Sequence, residues 1–130
     1  MRHLAILLLC SAVASTAHAA DRTPPRRFVT FFVEWSAALD GPANGVISEA
    51  AQYAKGHPRD AIEVHGYADP TGSRKANALM SELRAQRVAD TLQEAGVPVS
   101  RIRLDAHGSV KFASTSLESR RVEIEIFPAR

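Results

Sequence analysis

Apolar positions recur with clear periods along most of the chain beyond residue 27. Phe28 to Trp35 (FVTFFVEW) is rich in β-branched and aromatic residues and predicts a first strand. Asp40-Gly41-Pro42 then has the form of a helix start, with proline in the first turn. Ala43, Val46, Ile47, Ala50, Ala51 and Ala54 follow at helical spacing, and Gly56 with His57-Pro58 ends the segment. Ala61 to Tyr67 alternates as a second strand, Ile62 and Val64 on one side, Glu63 and His65 on the other. Asp69-Pro70-Thr71-Gly72 is turn chemistry. Ser73 to Ala95 predicts a long helix with Ala76, Leu79, Met80, Leu83, Val88, Leu92 and Ala95 as its apolar positions, stopped by Gly96 and Pro98. Arg101 to His107 alternates as a third strand with Ile102, Leu104 and Ala106 inward. Arg121 to Phe127 alternates as a fourth with Val122, Ile124 and Ile126 inward.

The order is β-α-β-α-β-β. Two strand-helix-strand units favour parallel, right-handed crossovers. About a dozen residues join the last two strands, too few for another full helical crossover, so those strands run antiparallel. The expected architecture is α+β in two layers, with helices on one face of a mixed sheet and the other face wet.

Residues 1–19 read differently. A basic start, the apolar run Leu4 to Val13 and the small-x-small triplet Ala17-His18-Ala19 form a secretory signal cleaved after Ala19. The run is too short to span a membrane as a helix. The one cysteine, Cys10, follows Leu9 where a lipidation signal takes a small residue, so the reading is against a lipid anchor. Residues 20–27 read as a flexible arm and 28–127 as the domain. With 16 basic and 14 acidic side chains, the net charge of +2 is nearly balanced. Arg26-Arg27 and Arg120-Arg121 are only doublets, so nothing here addresses nucleic acid.

The candidate chemistry lies around the turn after the second strand. Asn77, Ser81 and Arg84 stand at i, i+4 and i+7 and form one helix stripe close to Asp69. A carboxylate and a guanidinium facing one space suit a ligand with an ammonium and a carboxylate. Asp69 as a turn cap and Arg84 as a solvated helix residue are the plainer alternative. His65 and His107 share the outward face of two strands but have no clear third ligand, so no metal site is expected. Glu34, Glu63 and Asp105 read as solvated strand residues, and Trp35 and Tyr53 as packing at the core's edge. No nucleophile elbow or phosphate-binding glycine loop occurs, so no cofactor and no catalytic group is expected.

The segment His65-Gly66-Tyr67-Ala68-Asp69-Pro70-Thr71-Gly72, followed by Asn77, Met80-Ser81, Arg84-Ala85 and Val88, resembles the OmpA-like peptidoglycan-binding domain. That family reads G-H-T-D-x-x-G, then Y-N-x-x-L-S-x-x-R-A-x-x-V. Gly96-Val97, Arg101-Ile102 and Arg120-Arg121-Val122-Glu123-Ile124 match its later motifs, and Phe31 to Leu39 its opening. The resemblance implies a non-catalytic, exported envelope domain that binds the peptide stem of peptidoglycan. It implies that Asp69 and Arg84 grip diaminopimelate and that Asn77 and Arg120 or Arg121 support the pocket. Strand parity favours Arg120, because Arg121 shares its face with Glu123 and Glu125. The chain departs from the family at Tyr67, Ala68, Ala76 and Ser119. A second reading follows from those departures: an OmpA-like fold with weakened or lost wall binding that serves as an interaction subunit for an envelope protein partner.

Overall fold

The computed structural model describes residues 23–109 and 116–130; the segment read as a signal, with Cys10, lies outside them. The elements are β1 (Arg26–Phe31), α1 (Gly41–Gly56), β2 (Ala61–Ala68), α2 (Arg74–Glu94), a 3-10 turn (Val99–Arg101), β3 (Ile102–Ser109), the four-residue α3 (Ser116–Ser119) and β4 (Arg121–Phe127). Both long helices start on a side-chain cap. Asp40 accepts from the Ala43 amide to start α1, and Ser73 accepts from the Ala76 amide to start α2.

The four strands form one sheet in the order β1-β4-β2-β3. β4 runs antiparallel to both β1 and β2, while β2 and β3 are parallel. The sheet is therefore mixed, as expected. β3 and β4 run in opposite directions, yet they are not neighbours, because β4 inserts between β1 and β2. The core lies between the sheet and α1 and α2. Phe28, Ile62, Val64, Val122, Ile124 and Ile126 from the strands meet Ile47, Ala50, Ala54, Ala85, Val88 and Leu92 from the helices. The alanines let the helices approach closely. At Gly66 a Cβ would stand 2.1 Å from the Ser81 carbonyl oxygen, so α2 crosses β2 where only glycine fits. Ser81 Oγ accepts from the Gly108 amide at 2.9 Å and ties the end of β3 to the same helix.

Four expectations are corrected. β1 begins at Arg26, inside the stretch read as an arm, because Arg26 and Arg27 pair in register with Ile126 and Glu125. Arg27 also holds Glu125 at 2.6 Å. β1 ends at Phe31 rather than Trp35, since the Val33 and Ser36 carbonyls turn away from the ladder to accept from Arg84. Leu79 and Leu83 of α2 are exposed, while Asn77, Ser81 and Arg84 point inward. Leu104 shares a face with Val64 but lies on an outermost strand and stays 41% exposed; Ala106 is exposed as well.

Candidate functional site

One pocket gathers the loop after β1, the end of β2, the first half of α2 and the residue preceding β4. Its lining comprises Glu34, Trp35, Ala68, Asp69, Asn77, Met80, Arg84 and Arg120. The Asp69-to-Gly72 turn is fixed from within. Asp69 Oδ1 accepts from the Thr71 amide at 3.2 Å and the Thr71 hydroxyl at 2.5 Å. Asn77 Nδ2 donates to the Thr71 carbonyl at 2.6 Å, which clamps the turn onto α2. Asp69 Oδ2 accepts from Arg120 Nη1 at 3.1 Å. Burial pushes the Asp69 carboxyl up, but the Thr71 hydrogen bond, the Arg120 hydrogen bond and the Thr71 amide together hold it below its ordinary value.

Arg84 is only 1% exposed. Its Nε donates to the Ser36 carbonyl at 2.8 Å, Nη2 to Val33 at 3.1 Å and Nη1 to Tyr67 at 3.3 Å. The guanidinium also lies 5.3 Å from the centre of the Phe32 ring. These hydrogen bonds all end on backbone carbonyls, so dipoles solvate the cation in place of a bonded carboxylate. Burial, then the neighbouring Arg120 cation, push its pKa down to about 10, with Asp69 opposing. Arg84 thus stays charged at neutral pH. Two guanidiniums face one ionised carboxylate, held below its ordinary pKa, across a shared space. Among the described residues no histidine or cysteine lines the pocket, and its cations repel a metal, so the arrangement suits a carboxylate-bearing or zwitterionic ligand.

The structure brings together four of the five residues singled out from the sequence: Asp69, Asn77, Arg84 and Arg120. Arg121 is not brought in. It points to the opposite sheet face, as alternation along β4 requires, where it binds Glu123 Oε1 at 2.6 Å and lies 4.0 Å from the centre of the Tyr67 ring. Trp35 corrects the expectation of an edge-of-core residue. It is 51% exposed, has φ of 51° and rests on Gly72, where a Cβ would meet its ring at 2.7 Å. Tyr53 does pack against the core, beside Phe28. Glu34 and Met80 line the pocket unforeseen; Met80 lies beside the Asn77-Ser81-Arg84 stripe, which was the available signal. The cavity among these residues measures about 10 Å³, room for roughly one water.

The chain is similar to several known proteins. The chain matches the OmpA family over residues 31–123. It is 35% identical over 99 residues to the probable lipoprotein YiaD of Escherichia coli, covering 72% of this chain and 45% of that protein. It is 34% identical over 83 residues to the peptidoglycan-associated lipoprotein of Legionella pneumophila, covering 59% and 47%. The chain thus spans about half the length of the curated relatives it matches. The crystal structure of the peptidoglycan-associated lipoprotein from Burkholderia pseudomallei shares its fold, with a TM-score of 0.69 at 22% identity, covering 76% of this chain and 89% of that one. These relatives are named as lipoproteins, not as enzymes. With a matching family pattern over most of its length and the expected mixed sheet under two helices, the chain belongs to the OmpA family.

Proposed function

We propose that the protein is a non-catalytic cell-envelope component that binds peptidoglycan noncovalently. The pocket of Asp69, Arg84 and Arg120 takes the diaminopimelate residue of the stem peptide. The observation that carries this reading is the buried Arg84 guanidinium, hydrogen-bonded to carbonyl dipoles beside Asp69 and Arg120. The free end of diaminopimelate offers one ammonium and one carboxylate. Asp69 retains acceptor capacity for the ammonium, and the two guanidiniums attract the carboxylate. Asn77 keeps the Asp69 turn in place.

Two charge-assisted contacts contribute about 3–6 kcal/mol before ordering costs, which puts a single stem near the millimolar range. A ligand also needs more room than the present cavity. Trp35 is the side chain best placed to yield, since it is half exposed and sits in left-handed backbone that a tryptophan disfavours. Residues 1–19 deliver the chain to the periplasm in this reading.

Sedimentation with purified diaminopimelate-type peptidoglycan tests the proposal. Wild type is retained, and a folded Asp69→Asn variant is released to the supernatant. Equal retention of both sinks the site assignment. The competing reading, an OmpA fold serving as an interaction subunit, draws on the small cavity and on the Arg120 contact that already occupies Asp69. No retention of wild type, with co-purification of an envelope protein, would favour it.

A further inference from the structure

The wet face of the sheet carries a second constellation, none of whose residues lines the pocket. His65 on β2 stands opposite Asp105 on β3, and His107 follows on the same face of β3. His65 Nδ1 lies 3.0 Å from His107 Nε2 and 4.0 Å from Asp105 Oδ2, and His107 Nε2 lies 3.7 Å from the same oxygen. Three atoms with those separations lie on a circle of about 2.1 Å radius, the bond length of Zn2+ to imidazole nitrogen and carboxylate oxygen. An ion at the centre of that circle lies at bonding distance from all three donor atoms. The sequence placed the two histidines together but offered no third ligand; the register of β2 against β3 supplies Asp105.

We propose that His65, Asp105 and His107 form a binding site for a borderline divalent transition ion, with Zn2+ as the test case. The surroundings support this independently of the distances. Glu63 Oε2 lies 3.3 Å from His65 Nε2 and Glu125 Oε2 lies 3.8 Å from it. A carboxylate on the far nitrogen holds the imidazole with Nδ1 as the lone-pair donor, the usual outer-shell arrangement of a metal-bound histidine. The His107 ring stacks on Tyr67 at 4.6 Å with only 9° between planes, and the Arg121 guanidinium covers the same tyrosine. His107 is therefore held in plane with Nε2 turned to His65. The short nitrogen-nitrogen contact needs a shared proton when no ion is present, and an ion takes that proton's place. Two imidazoles and one carboxylate select borderline ions over Ca2+ or Mg2+, which prefer oxygen-only sets. Asp105 and His107 border solvent, so a water completes the coordination.

The test is Zn2+ titration of tag-free protein, read by calorimetry and by the histidine ring resonances. The expected result is one ion per chain, with the His65 and His107 rings shifting together while His57, stacked on Tyr53, stays unchanged. His65→Ala and His107→Ala each abolish saturable binding. Glu63→Gln, which leaves all three ligands in place, weakens it about 10–100-fold. These side chains lie outside the apolar core, and circular dichroism checks that each variant folds. Asp69→Asn leaves zinc affinity unchanged, so the outcome is separate from wall binding. No ring shifts at millimolar Zn2+, or binding that survives His65→Ala, overturns the proposal.

Discussion

Replacing Arg84 by alanine tests the account of the pocket as both a structural and a binding unit. The side chain is 1% exposed and donates at 2.8, 3.1 and 3.3 Å to the Ser36, Val33 and Tyr67 carbonyls, of which Val33 also accepts from the Ser36 amide at 3.2 Å. A buried carbonyl left without a partner costs about 1–3 kcal/mol. Val33 keeps the Ser36 amide and adds little, and water entering beside the existing cavity holds the Ser36 and Tyr67 carbonyls toward the low end. The expected loss is about 2–4 kcal/mol, a large share of the 5–15 kcal/mol typical of a domain. Arg84→Lys keeps the charge but loses the planar fork, and it should fall between alanine and wild type. Arg121→Ala is the control: its partly exposed ion pair on the other face should contribute under about 1 kcal/mol. Urea unfolding measures all three. A loss below about 1 kcal/mol for Arg84→Ala would show that the three carbonyls do not depend on the guanidinium.

Three further outcomes follow. Gly66→Ala places a methyl 2.1 Å from the Ser81 carbonyl oxygen and should prevent normal docking of α2, seen as lost expression or a thermal midpoint far below wild type. Asp69 is held below its ordinary value, so its ionised form stabilises the fold above about pH 4, and that contribution is lost as pH falls through the lowered value. The stability gap between wild type and Asp69→Asn should therefore shrink in acid; a gap independent of pH contradicts the bonding described. Mass spectrometry of the exported protein should find a chain beginning at Ala20 without lipid, and a lipidated Cys10 would reverse that reading.

The sequence revealed most where one physical rule acted alone. Alternation placed Val122, Ile124 and Ile126 inward and assigned Arg120 and Arg121 to opposite faces, and Asp40-Gly41-Pro42 marked the start of α1. It failed where rules competed. The aromatic run through Trp35 looked like continuous strand, but Arg84 draws the Val33 and Ser36 carbonyls out of the ladder. Leu79 and Leu83 looked like core positions on α2, yet the polar stripe Asn77-Ser81-Arg84 claims the inner face because its partners wait there. Asp105 looked like a solvated strand residue, since its neighbours depend on which strand pairs with β3, and no local pattern carries that information. The insertion of β4 between β1 and β2 is non-local in the same way.

The central claim is that Asp69, Arg84 and Arg120 form one ligand site for the diaminopimelate end of the wall peptide. Its most direct test is an NMR titration of the folded protein with a diaminopimelate-containing stem peptide. The account predicts saturable shifts confined to the Asp69 turn, Asn77 and the Arg84 and Arg120 side chains, lost in Asp69→Asn. Shifts elsewhere, or none at all with the peptide in large excess, would contradict it.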